Sequence, residues 1–204
     1  MTDSVLNHHQ QLLVMPEDGA QAVVALIDQA QEHLRIKQFK LQSEDVEQAL
    51  LRAHQRGVTV RVMLNPHTSG GDRWNDEAFA LLQGWGIDVA WTSEAFPVTH
   101  EKSLVVDREL ALISTFNLAD KYFTLTRDYG VVTYAPEVVA QVIAGFEALF
   151  GAGGGSSALA GLIAGELSVG SFMSSLVPGP WTIAMLAIQL SGLLSCDQAE
   201  QILA

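Results

Sequence analysis

One short run, Gly151-Ala152-Gly153-Gly154-Gly155-Ser156-Ser157, does most to limit what this chain can fold into. Four glycines and two serines in seven residues have the composition of a flexible linker. No Gly-Lys-Ser/Thr follows it, so it does not read as a phosphate-binding loop. The charge pattern changes at the same place. All 11 Lys and Arg residues precede Gly151, so residues 1–150 carry 11 positive against 20 negative charges, a net of −9. Beyond it stand only Glu166, Asp197 and Glu200. The expected organisation is an N-terminal extension over 1–17, a folded domain over 18–150, a linker over 151–157 and an apolar helical tail over 158–204. No internal repeat is evident in the first 150 residues.

The domain alternates two periodicities. Val23, Val24, Ile27 and Ala30 follow helical spacing after Pro16-Glu17-Asp18-Gly19. Leu34–Leu41 reads as a strand. Ser43 is placed as an N-cap, with Glu44, Asp45 and Glu47 in a first turn that favours anions. Val46, Leu50 and Ala53 continue that helix and Gly57 ends it. Val58–Leu64 alternates as a strand, and a polar loop over Asn65–Asp72 leads to a helix near Asn75–Leu82. Strands are predicted at Ile87–Trp91, Lys102–Val106, Leu110–Ser114 and Tyr129–Tyr134. Pro136 suits the first turn of a closing helix that runs to Phe150. Helices alternating with strands predict an α/β layered domain.

The tail has no charged residue from Leu167 to Cys196, but Pro178 and Pro180 cut it. Its longest clean helix candidate, Trp181–Leu194, has fourteen residues, short of the ~20 that a bilayer crossing needs. Packing on the protein or on a partner is the expected use, with membrane association through the tail left open. Asp197–Ala204 suits a final short helix.

Composition narrows the function classes. With 49% hydrophobic and 17% charged residues, the chain is not of the disordered type. A net charge of −12 excludes binding extended duplex nucleic acid through a general basic surface, though not a small positive site. The single cysteine, Cys196, excludes a disulfide scaffold and a Cys-rich zinc site. Met1–Gln11 lacks an apolar core, so no secretory signal is expected and the default location is cytoplasmic.

One constellation carries chemistry: His100-Glu101-Lys102, then Asp107, then Ser114-Thr115-Phe116-Asn117. Residues two apart on a strand project to one side, which puts an imidazole beside an ammonium. Such a pair suits a phosphate, one group attacking or moving a proton and the other neutralising oxygen charge. Thr115 and Asn117 are placed to add donors.

These residues resemble the phospholipase D superfamily, whose signature is H-x-K-x4-D followed by G-S-x-N. His100, Lys102 and Asp107 match the first element and Asn117 the end of the second. Ser114 stands for the usual Gly and Thr115 for the usual Ser. Asp128 occupies the place of a carboxylate that orients the nucleophilic His in a related nuclease-type arrangement. The similarity extends over roughly 18–150, including Arg56-Gly57-Val58 and Thr126–Gly130, and leaves out the tail. It implies a layered fold with a central mixed sheet flanked by helices. It implies metal-independent, cofactor-free phosphodiester chemistry through a phosphohistidine, with His100, Lys102, Asp107, Asn117 and Asp128 as catalytic residues. Lys102, Ser114, Thr115 and Asn117 would hold the substrate, with phospholipid a candidate. A role for Asp107 there is structural or in support of the site.

Each of these residues also has a plainer use. His100 alone could be structural, Lys102 an edge-strand lysine, Asp107 a turn cap and Asp128 a partner of nearby basic groups. His8 and His9 precede any expected element, and His33, His54 and His67 lack ligand spacing, so no metal site is expected. Because His100 is the last histidine, the chain has one motif. Family members of that kind pair as homodimers to supply the second imidazole. Three readings follow from the resemblance: a dimeric phosphodiesterase or phosphatidyltransferase, a nuclease of the same superfamily, and an inactive half-domain serving as an interaction module.

Overall fold

The computed structural model describes residues 10–68, 70–93 and 96–150. The linker and tail expectations lie outside the described residues. Among the described residues, nine strands and five helices follow in chain order. They are β1 (Gln10–Met15), α1 (Gly19–Asp28), β2 (His33–Gln38), β3 (Leu41–Gln42), α2 (Glu44–Gln55), β4 (Thr59–Leu64) and α3 (Asp76–Gly84). Next come β5 (Asp88–Trp91), β6 (Ser103–Val106), β7 (Leu110–Ser114), β8 (Leu118–Ala119), α4 (Asp120–Thr124), β9 (Asp128–Thr133) and α5 (Pro136–Glu147).

Seven strands form one mixed sheet in the order β1-β9-β7-β6-β2-β4-β5. β2, β4 and β5 run parallel, as short helical crossovers require. The remaining neighbours are antiparallel. The register sets the two faces. Leu34, Ile36, Leu104, Val106, Leu112 and Val62 join one core with Val23 and Ile27 of α1 and Leu50 and Ala53 of α2. Full burial of one such aliphatic chain contributes about 1.5–3 kcal/mol. The opposite face, with Val105 and Ala111, is covered by α5 through Val138, Val139, Val142 and Phe146. Arg35 and Arg61 emerge on that face and both pair with Glu147 of α5. α2 shows the local logic: Val46, Ala49, Leu50 and Ala53 are its buried stripe, and Gly57 at φ +89° lets the chain turn back into β4.

The structure differs from the sequence expectations at several places. Residues 10–15, assigned to an N-terminal extension, form edge strand β1, antiparallel to β9 from Gln10↔Thr133 to Met15↔Asp128. The strand expected over Leu34–Leu41 breaks at Phe39-Lys40; its last residue, Leu41, instead joins Gln42 in β3, which pairs with β8, Leu41 opposite Leu118 and Gln42 opposite Ala119. Ser43 sits at the N-cap, where its carbonyl accepts from Glu47, but its hydroxyl makes no capping bond.

Candidate active site

Antiparallel pairing gathers the motif residues at one end of the sheet. Where β2 and β4 finish, β6 and β9 begin and β7 ends, as the pairs Lys37↔Ser103, Ser103↔Ile113 and Ser114↔Gly130 define. Such an edge, beyond the carboxyl ends of the parallel strands, is a common ligand position in α/β sheets. Gly130 is required there. A Cβ on it would lie 2.8 Å from Leu112 Cδ1 and 3.0 Å from Phe116 Cε1.

Lys102 precedes β6 and leaves the chain on the α1/α2 side. It is 3% exposed. Its Nζ donates to the His100 carbonyl at 2.6 Å and lies 2.9 Å from His100 Nδ1. The ring of Phe39 lies beneath both residues, with its centroid 4.7 Å from that of His100 and 5.4 Å from Lys102 Nζ. Among the described residues Lys102 has no ion-pair partner within 4 Å. Burial lowers its pKa from 10.5 to about 8, opposed in part by the negative charge of Asp128. Lys102 is therefore an ammonium at neutral pH, but a weakly solvated one. His100 keeps exposed surface at the mouth. Partial desolvation, and then the Lys102 charge, lower its pKa, favouring the neutral imidazole.

Asp128, at the start of β9, is brought to the same end. Thr115 Oγ1 donates to its Oδ1 at 2.6 Å and Thr126 Oγ1 to its Oδ2 at 2.5 Å. The Tyr129 amide in turn donates to Thr115 Oγ1 at 3.0 Å, tying the β7 exit to β9. Asn117 is 4% exposed, and its Oδ1 is buried without a hydrogen-bond partner. A buried orphan amide at a site of this kind is a group waiting for a ligand or a rearrangement.

Two expected site residues belong elsewhere. Asp107 stands at the far end of β6, a full strand from Lys102. There its carboxylate accepts from the backbone amides of His33 at 2.7 Å, Glu32 at 2.8 Å and Gln31 at 3.1 Å. Burial alone would raise its pKa, but these three amides together hold it below the usual carboxylate value. It pins the turn after β6 to the start of β2, adopting φ +53°, a conformation Asp tolerates better than most residues. Ser114 is 1% exposed and donates to the Phe116 carbonyl at 2.9 Å, so its hydroxyl proton is committed inside the turn.

Sequence reasoning missed four supports. Phe39 is the floor under His100 and Lys102. Thr126 holds the second oxygen of Asp128. Glu101, between the two motif residues, points to the α5 face, where it pairs with Lys37 at 2.8 Å and accepts from Ser103 Oγ at 2.8 Å. Lys37 is 2% exposed, so this clamp fixes the segment that carries His100 and Lys102 into β6. Two buried asparagines hold the flanking loops. Asn65 Oδ1 accepts from the Thr99 amide at 2.8 Å, and Asn75 Nδ2 donates to the Phe39 carbonyl at 2.9 Å. The available signal was the pair Asn65 and Asn75 bracketing a polar loop.

A buried lysine, an exposed histidine and an oriented carboxylate thus stand at one end of a mixed α/β sheet. Residues 23–150 match the family described as cardiolipin synthase, PLD-like domain, and the chain belongs to that family within the phospholipase D superfamily. Among solved structures it is similar to Nuc, a phospholipase D family member from Salmonella typhimurium. They share 25% identity and a TM-score of 0.61, over 68% of this chain and 91% of that one. NucT from Helicobacter pylori matches at 15% identity and TM-score 0.61, over 69% and 94%. Phosphatidylserine synthase from Haemophilus influenzae matches at 15% and 0.56, over 66% of this chain and 37% of that one. The last two likenesses speak for the fold alone. Comparison with curated proteins found no match. Among the described residues no helix is long and apolar enough to cross a membrane.

Proposed function

We propose that this chain is a phosphodiester hydrolase or transferase of phospholipase D type, acting as a homodimer without a metal ion. The observation that carries the reading is Lys102: a buried ammonium with no ion-pair partner among the described residues, held against an exposed imidazole. Protonated Lys102 donates, so the ring nitrogen nearest it, Nδ1, is the unprotonated one and Nε2 carries the hydrogen. A substrate phosphate would draw the Lys102 donors onto its non-bridging oxygens and release the ring. His100 then attacks phosphorus, the leaving alcohol takes a proton from the His100 of the second copy, and water or another alcohol resolves the phosphohistidine. Asp128, braced by Thr115 and Thr126, supplies the negative charge that keeps Lys102 protonated. The two imidazoles are chemically identical when free and become unequal through proton and substrate occupancy.

Subunit mixing tests the dimeric part. Wild-type protein titrated with His100→Ala subunits should lose bis(4-nitrophenyl) phosphate turnover more steeply than the wild-type fraction falls, and a chelator should leave the rate unchanged. Linear loss with full turnover by a species shown to be monomeric by light scattering, or activity restored by a divalent ion after chelation, would end the proposal.

A further inference from the structure

The β2–β4 ladder ends where the Asn65 amide donates to the Gln38 carbonyl at 3.0 Å. Past it, the chain crosses to β3 through Phe39-Lys40, and a side chain meets the backbone of that crossing. Asn75 Nδ2 donates to the Phe39 carbonyl at 2.9 Å, and Asn75 Oδ1 accepts from the Leu41 amide at 2.9 Å. The same Nδ2 donates its other hydrogen to the Asn65 carbonyl at 2.9 Å. This carboxamide works as a peptide group would, supplying donors and an acceptor where the strand pairing stops. Asn75 is 1% exposed and occupies the N-cap position of α3, yet its side chain makes no capping bond. Capping, the usual reason for Asn at a helix start, therefore does not account for it. Asn65, 3% exposed, carries the bonding onward. Its Oδ1 accepts from the Thr99 amide at 2.8 Å and its Nδ2 donates to the His67 carbonyl at 2.5 Å. Thr99 directly precedes His100, and the Phe39 ring lies against the His100 ring with centroids 4.7 Å apart. Asn75 thus reaches His100 along two arms, one through Phe39 and one through Asn65 and Thr99.

We propose that Asn75, with Asn65 as its relay, is a positioning residue for His100, the two arms fixing where the imidazole sits over Phe39 and beside Lys102. This rests on the phosphodiester reading above, and neither asparagine is asked to touch substrate. His100 is exposed, so packing does little to hold its ring, and the backbone that carries it has to be held instead. The Thr99 arm fixes that backbone, and the Phe39 arm fixes the surface on which the ring rests. The Lys37–Glu101 pair acts from the α5 face, so the asparagines supply what it cannot, a hold from the loops before His100. The chemistry of Asn75 is specific. Aspartate in its place would lose both donors and set a charge against the Phe39 and Asn65 carbonyl oxygens. Leucine would leave three backbone groups unmet. A displacement of about 1 Å costs ~10²-fold in rate, so loosening one arm should cost about tenfold.

The test uses the full chain and two readouts. One is turnover of bis(4-nitrophenyl) phosphate; the other is the His100 titration, followed by NMR with isotope-labelled histidine and assigned with His100→Ala. Partial burial, and then the Lys102 charge, hold the His100 pKa below 6.5. Asn65→Ala frees Thr99 and should lower kcat about tenfold with KM within about twofold, while the His100 pKa moves up toward 6.5. Asn65→Asp keeps an oxygen for the Thr99 amide and should hold kcat within about threefold of wild type. Asn75→Asp breaks the Phe39 arm and the link to Asn65 together, and should cost about thirtyfold or more; if it does not fold, the Asn65 pair decides. Leu82→Ala, in the buried stripe of the same helix, should lower the melting temperature without moving kcat or the His100 pKa. An unmoved His100 pKa in Asn65→Ala would overturn the proposal. So would Asn65→Asp no better than Asn65→Ala, or Leu82→Ala reproducing their effects, since either would leave the asparagines a role in stability alone. A rise in KM without a fall in kcat would overturn it in favour of substrate binding. If no diester is turned over at all, the phosphodiester reading fails while the His100 titration still decides the positioning.

Discussion

β6 carries a signature residue at each end, and the two ends are built on opposite principles. At one end Lys102 is a buried cation without an ion-pair partner among the described residues, its pKa pulled down to about 8. At the other, Asp107 is an anion with three backbone donors, its pKa held low. The first end keeps an unmet electrostatic demand, which a phosphate can satisfy. The second has every demand met and serves the fold. The four residues between them in the motif are one short strand, so on the proposed reading the spacing H-x-K-x4-D joins a reactive group to the pin that holds its strand.

The sharpest ways to break this comparison act at the Lys102 end. His100→Ala should abolish phosphodiester turnover, a loss of at least about 10⁴-fold, with circular dichroism and melting unchanged. Lys102→Met should cost about 10²–10³-fold in kcat, the scale of one lost donor to a developing oxyanion. Lys102 also gives a pH signature of defined sign. Its lowered pKa means the unfolded chain binds more protons between about 8 and 10.5, so stability rises with pH across that window. Turnover should fall over the same window as the ammonium is lost. Wild type would grow more stable while growing less active, and Lys102→Met should flatten the stability rise. Parallel loss of both would contradict the assignment.

Smaller effects belong to the clamp and the pin. Glu101→Gln keeps an acceptor for Lys37 but removes the charge, and should lower kcat about tenfold with KM unchanged. That is short of the ~10²-fold cost of a full 1 Å misplacement. A rise in KM alone would assign Glu101 to substrate binding instead. Asp107→Ala should leave kcat within about threefold at low temperature yet cost roughly 2–3 kcal/mol in denaturant unfolding, having left three amides without their acceptor. Asp107 contributes its stability above its unfolded pKa near 3.8 and loses it as pH falls through the lower folded value. Asp107→Asn should therefore remove part of the acid-unfolding slope. A kcat collapse in Asp107→Asn with unchanged stability would return Asp107 to the catalytic set.

The helices and central strands were legible because apolar residues recur at 3.6 or 2 along α1, α2, β4 and β7, and side-chain period is what burial selects. β1 was not. Gln10-Gln11-Leu12 is exposed on an edge, and only Leu13 and Met15 meet the core, too short an alternation to distinguish from a tail. β3 and β8 are two residues each, and their pairing is a tertiary event with no local pattern. The motif spacing singled out His100, Lys102, Asn117 and Asp128, which the fold sets toward one end of the sheet. Spacing alone could not assign direction along the strand, so Asp107 was grouped with residues a strand length away. Ser114 was misplaced for a related reason: a hydroxyl next to a motif looks available until the turn geometry commits it to the Phe116 carbonyl. Phe39, Glu101 and Lys37 escaped because an apolar residue at a strand end and a buried ion pair across a sheet have no sequence signature.

The central claim is that His100, freed from Lys102 by the substrate, becomes covalently bonded to phosphorus. Rapid acid-free quenching of wild type and Lys102→Met during turnover of a phosphorus-labelled diester, followed by peptide mapping, tests it most directly. The predicted result is an acid-labile, base-stable label on the peptide containing His100, absent in His100→Ala and strongly reduced in Lys102→Met. Steady turnover with no label at any quench time, or a label on another side chain that survives in His100→Ala, would contradict the account.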